Sequence, residues 1–102
     1  MIRHILMFEL RRDLTAERAE AVLAGLKDFP NKFPAMRRFY LGRNISSRDK
    51  TFSYAMSVEF ESLEDLESYL ASEYHEHFVD VWFRPNVERR AIATLDDGIQ
   101  AT

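Results

Sequence analysis

The chain contains no cysteine in its 102 residues, which excludes disulfides, zinc-thiolate centres and a cysteine nucleophile. Only three glycines and three prolines occur, and they form no glycine-rich phosphate loop; Gly-x-Ser-x-Gly and His-Glu-x-x-His are also missing. Nucleotide, serine hydrolase and zinc hydrolase chemistry have no motif to rest on. Apolar runs are short. None spans a bilayer, and His4 and Glu9 interrupt the opening stretch where a secretory leader needs an unbroken apolar core, so a cytoplasmic protein without a membrane partner is expected. Positive charge is also in deficit: 14 Lys and Arg against 17 Asp and Glu, a net charge of −3, argue against nucleic acid as a partner. The local pairs Arg11-Arg12 and Arg37-Arg38 read as solvated surface.

What is present suits one small globular domain, with 46% hydrophobic and 13% aromatic residues. Residues 1–96 are assigned to that domain and 97–102 to a tail. Strict alternation over residues 2–10 predicts a first strand. Thr15 offers an N-cap to a helix carrying Ala19, Val22, Leu23, Leu26 and Phe29, which should end at Pro30. Strands follow over 36–45 and 52–60, separated by the glycine-free polar loop Ser46 to Lys50, expected to be mobile. Ser62 with Asp65 has capping-box form and opens a helix with Leu63, Leu66, Tyr69 and Leu70 on its inner face. A second cap at Ser72 starts a helical segment over 73–83, closed by Arg84-Pro85 because proline disfavours helix in the residue before it. A fourth strand covers 87–95.

The order β-α-β-β-α-β predicts an α+β, ferredoxin-like fold with both helical regions on one face of an antiparallel four-stranded sheet. Ile5 and Met7 then point to the opposite face, for which a second copy of the chain is the simplest cover.

Among the three histidines, His75 precedes Phe78, Val79 and Trp82 by three, four and seven residues and so shares their apolar stripe. With Ser72 as cap it is the third helical residue, where the helix dipole and burial both favour a neutral ring suited to a general base. A buried structural histidine fits the same spacing. His4 shares a strand face with Leu6 and Phe8 and points to the same interior, as a ligand contact or as a bonded core group. Tyr69 lies six residues before His75 and meets it only if the chain turns near Ser72. Leu6, Phe8, Met56, Val58, Phe78 and Trp82 are the candidate lining of an apolar pocket. His77, rotated by roughly 200° from His75, faces solvent, so the His-Glu-His triplet chelates no metal.

Read together, Ile2-Arg3-His4-Ile5, Pro34-Ala35-Met36, Gly42-Arg43-Asn44 and Phe60-Glu61-Ser62, followed by Tyr69, His75, Phe78-Val79 and Arg84-Pro85, form an ordered set. That set resembles the stress-responsive dimeric α/β-barrel (Dabb) domain family over nearly the whole chain. The resemblance implies a homodimer in which two sheets pack into a barrel, with a small-molecule cavity between sheet and helices in each protomer. Most members of that family have no established activity. A minority look like cofactor-free polyketide cyclases, and for them the resemblance implies a general base at His75, a supporting tyrosine at Tyr69 and a cavity-lining histidine at His4. Ser72-Glu73 stands where the family commonly carries His-Pro, and the first helix has no tyrosine. The expected function is binding of a small apolar or aromatic ligand without a cofactor; a cofactor-free lyase or cyclase is the second reading. A third, from related dimeric barrels, is a monooxygenase-like or haem-handling protein with His75 as axial ligand. A divalent ion held by backbone carbonyls would leave no side-chain signature.

Overall fold

Alternation along the first strand has a direct structural counterpart. In a computed structural model describing residues 1–99, His4, Leu6, Phe8 and Leu10 of β1 (Ile2–Leu10) are buried while the residues between them are more open. β1 pairs antiparallel with β3 (Tyr54–Phe60) and with β4 (Val87–Leu95), and β2 (Arg37–Arg43) adds to β3, giving the sheet order β2-β3-β1-β4. Helices α1 (Ala16–Lys27), α2 (Phe29–Lys32), α3 (Leu63–Ala71) and α4 (Glu73–Phe78) supply the apolar side chains that pack on one face of that sheet. The fold is the ferredoxin-like α+β arrangement. Phe8, Val22, Phe29, Met56, Val58 and Phe60 are its most deeply buried large side chains, each stabilising the fold by roughly 1.5–3 kcal/mol through removal from water. Of the expected tail, residues 100–102 lie outside the described residues.

Several boundaries differ from the sequence reading, each for a local reason. The first helix stops at Lys27 rather than at Pro30; Asp28 caps it, and Pro30 sits in the first turn of α2, where its missing N–H costs nothing. β2 and β3 are shorter than expected because Asn44 organises the chain between them. Its side-chain Nδ2 donates to the carbonyls of Asp49 at 2.9 Å and Phe52 at 2.8 Å, so the loop read as mobile carries its own hydrogen bonds. The helical segment after Ser72 does not run evenly to 83. It passes from α4 into a wide π-helical turn, Val79–Phe83, and then a 3₁₀ turn, Arg84–Asn86, so Pro85 lies within helical structure and Arg84 keeps helical angles. Asn86 secures this end by donating Nδ2 to the Trp82 carbonyl at 2.7 Å.

Arg37-Arg38 is not simply solvated surface. Arg38 adopts φ 47°, in the left-handed region, at an irregularity in the β2–β3 register between Arg37 and Tyr40. From there its guanidinium reaches Glu59 at 2.6 Å, and Arg3 pairs with the same carboxylate. Glu59 is buried within the chain, and the hydrogen bond from Arg38, aided by the charge of Arg3 against the opposing effect of burial, holds its carboxyl below the usual range.

Candidate functional site

A single hydroxyl shapes the site. Ser72 Oγ accepts from the His75 amide at 3.2 Å, capping α4, and donates to the Tyr69 carbonyl at 2.8 Å near the end of α3. The chain breaks direction at Ser72, whose backbone is extended (φ −66°, ψ 146°). In one unbroken helix, residues six apart diverge. Here the rings of Tyr69 and His75 meet edge to face with centroids 4.6 Å apart.

The protonation of His75 follows from its neighbours. Its Nδ1 lies 3.0 Å from the Leu70 carbonyl oxygen, and a carbonyl only accepts, so Nδ1 carries the proton and Nε2 keeps its lone pair. Burial pushes the imidazole below its ordinary value, against the weaker opposite pulls of the Leu70 carbonyl and Glu76. Tyr69 is packed between Phe33 at 4.7 Å and Phe60 at 5.5 Å, and burial pushes its phenol upward, so it remains an O–H donor. His4 bonds through Nδ1 to Thr94 Oγ1 at 3.0 Å across the β1–β4 pair, with its ring centroid 6.4 Å from that of Tyr69. Burial, then the proximity of His75, lowers the His4 pKa. Among the described residues, no buried side-chain nitrogen or oxygen lacks a partner. The Nε2 atoms of both histidines and the Tyr69 hydroxyl make no hydrogen bond there, so all three open onto accessible space.

A cavity of about 350 Å³ lies between sheet and helices, within the range of small-molecule sites. His4, Tyr69 and His75 line it, as do the expected Leu6, Met56 and Phe78. Phe8, Val58 and Trp82 stand elsewhere. Phe8 is fully buried against Tyr54 and Phe83, Val58 is fully buried in the core, and Trp82 lies under the Arg18 guanidinium, 4.6 Å from its ring centroid. His77 is exposed, on a different side of α4 from His75. The sequence reading missed Leu26, Phe29, Phe83 and, on the fourth strand, Arg90 and Ile92. The last two were detectable once the register was known, because Arg90 pairs with Phe8 and Ile92 with Leu6 on the inner face. Chemically, an unprotonated Nε2 beside a neutral phenol and an apolar floor can take a proton from a bound carbon or oxygen acid while the phenol steadies developing negative charge.

Sheet order, helical cover and a cavity walled by two histidines and a tyrosine define a ferredoxin-like α+β domain with an internal cavity. The chain belongs to the Stress responsive A/B Barrel Domain (Dabb) family, whose profile matches residues 2–96. It is similar to the olivetolic acid cyclase of Cannabis sativa, with 26% identity over 83 residues that cover 79% of this chain and 82% of the relative. Among solved structures, it resembles the hydroxynitrile lyase of Passiflora edulis with a TM-score of 0.83 at 19% identity, covering 97% of this chain and 96% of that one. A dimeric ferredoxin-like protein of unknown function from Bacteroides fragilis matches with a TM-score of 0.71 at 25% identity, over 93% of this chain and 94% of that one. No helix among the described residues is long and apolar enough to cross a membrane.

Proposed function

We propose that the protein binds a small apolar or aromatic molecule in the cavity and acts on it by proton transfer, as a lyase or cyclase whose chemistry comes from side chains alone. His75 Nε2 is the base, Tyr69 the hydrogen-bond donor to developing negative charge, and His4 a second polar contact. The observation that carries this reading is the bond from His75 Nδ1 to the Leu70 carbonyl, which leaves Nε2 unprotonated on a ring that packs against Tyr69 and lines the cavity. The likeness to a cyclase supports the same direction.

The working form is a homodimer closed through the face of the sheet away from the helices. On that face Met7 is 38%, Tyr40 71% and Leu95 49% exposed, an apolar surface that a second sheet would cover. The likeness to a dimeric protein agrees with it. Sedimentation equilibrium should give a dimer at micromolar concentration; a stable monomer contradicts this assembly.

Deuterium incorporation in D₂O into phenylacetone, a benzyl ketone with exchangeable α-protons, tests the base. The protein should accelerate exchange, with activity falling as pH drops through the lowered value of His75. His75→Gln should return the rate to background, and Tyr69→Phe should slow it by about 10²-fold. Unchanged exchange in a folded His75→Gln variant refutes the assignment.

A further inference from the structure

β4 is an edge strand, and its pairing with β1 sets Arg90 opposite Phe8 and Ile92 opposite Leu6. Both side chains therefore rise on the helix-covered face, at the rim of the cavity that holds His4, Tyr69 and His75. The neighbouring cations are engaged: Arg84 Nη1 lies 2.8 Å from Asp80, and Arg89 donates to the Thr51 carbonyl at 3.1 Å and sits 3.9 Å from Glu88. Arg90 has no hydrogen bond or ion pair among the described residues. Among the described residues, a guanidinium without an ion pair thus borders the cavity, whose rim also carries Glu88 beside Arg89 and whose inner polar groups are His4, Tyr69 and His75. The rim and the floor ask for different chemistry, charge outside and hydrocarbon within.

We propose that Arg90 anchors the anionic end of the ligand, and that the ligand is an aromatic or short aliphatic carboxylate whose apolar body fills the cavity. This rests on the reading of the cavity as the binding site. The guanidinium fork matches a carboxylate by two parallel N–H donors, and its hydrocarbon stem can lie along Ile92, which is 50% exposed at the same rim. The inner face carries Arg90, so closure of a dimer through the opposite face leaves the rim open.

The test compares 1-naphthoate with 1-naphthylmethanol, equal in ring system and differing in charge, by NMR titration of the His4, Tyr69 and His75 signals. The expected result is affinity for naphthoate roughly tenfold or more above that for the alcohol, reflecting the charge-assisted pair. That preference should shrink between about 20 and 500 mM salt. Arg90→Gln, at an exposed position, should abolish the preference by lowering the affinity for naphthoate to about that for the alcohol. Equal affinity for the two probes in the wild type, or a preference that survives in Arg90→Gln, overturns the anchor while the cavity reading stands. No movement of the three signals with either probe removes the cavity as a binding site, and the anchor with it.

Discussion

Ser72→Ala removes one oxygen with two jobs. Loss of the cap on the His75 amide costs about 1 kcal/mol, by the usual price of replacing a serine N-cap. The bond from Oγ to the part-buried Tyr69 carbonyl adds about another 1 kcal/mol. Ser62→Ala is the internal control, because Ser62 Oγ caps α3 through the Asp65 amide at 3.1 Å and makes no second bond among the described residues. Ser72→Ala should therefore destabilise the protein by roughly 2 kcal/mol and Ser62→Ala by roughly 1 kcal/mol, the former lowering Tm by about 8–16 °C for a domain of this size. Ser72→Thr, which keeps the hydroxyl, should recover most of the loss. Urea unfolding followed by circular dichroism gives the free energies. The NMR titration of His75 gives the local effect: with the turn released, its pKa should move back toward the ordinary value as the ring gains water. If Ser72→Ala costs no more than Ser62→Ala and leaves the His75 titration unmoved, the hydroxyl does not hold the two side chains together.

Stability should also depend on pH in a defined direction. The folded values of His4 and His75 lie below the ordinary 6.5, so the unfolded chain binds more protons between the two and stability is lost as pH falls below about 6.5. Glu59 adds a second loss, its contribution being present above the ordinary 4.5 and disappearing as pH drops through its lower folded value. The Tm profile measures both, and His4→Gln with His75→Gln should flatten the first limb; a profile unchanged by that pair contradicts the shifts. Phe29→Ala empties a position that is 1% exposed and contacts Phe33, Tyr69, His75 and Phe78, and should cost about 3–5 kcal/mol in urea unfolding. Gly25→Ala should destabilise by roughly 1 kcal/mol despite the better helix former, because overpacking outweighs propensity: the added Cβ would clash with the edge of the Phe78 ring. A stabilised Gly25→Ala variant would mean that the Phe78 ring moves aside freely.

Much of this architecture was legible as pattern. Period-two alternation placed His4 with Leu6 and Phe8, and the caps Thr15, Ser62 and Ser72 each accept the expected amide hydrogen. The convergence of Tyr69 and His75 followed from the cap at Ser72, since only a turn there brings them together. Depth was not legible. Phe8, Val58 and Trp82 share faces with cavity residues, yet an inward direction does not distinguish a cavity wall from a filled core. Nor was the Leu70 carbonyl that sets the His75 tautomer, because main-chain acceptors leave no mark in residue identity. Glu59 sits at a position that alternation assigns to the outer face, and its burial comes from Arg3 and from Arg38, the latter reaching it out of a left-handed bend that no glycine or asparagine announces. Nothing in residue identity marked Arg90; its pairing with Phe8 is what puts it at the cavity.

The proposed chemistry needs His75 to stand as a neutral base with Nε2 as its free nitrogen. Side-chain ¹⁵N NMR of the imidazole near pH 7.5 tests it most directly, because protonated and unprotonated ring nitrogens have distinct signals. The expected result is a proton on Nδ1, held by the Leu70 carbonyl, and none on Nε2. A proton on Nε2, in either the other neutral tautomer or the imidazolium, would contradict it.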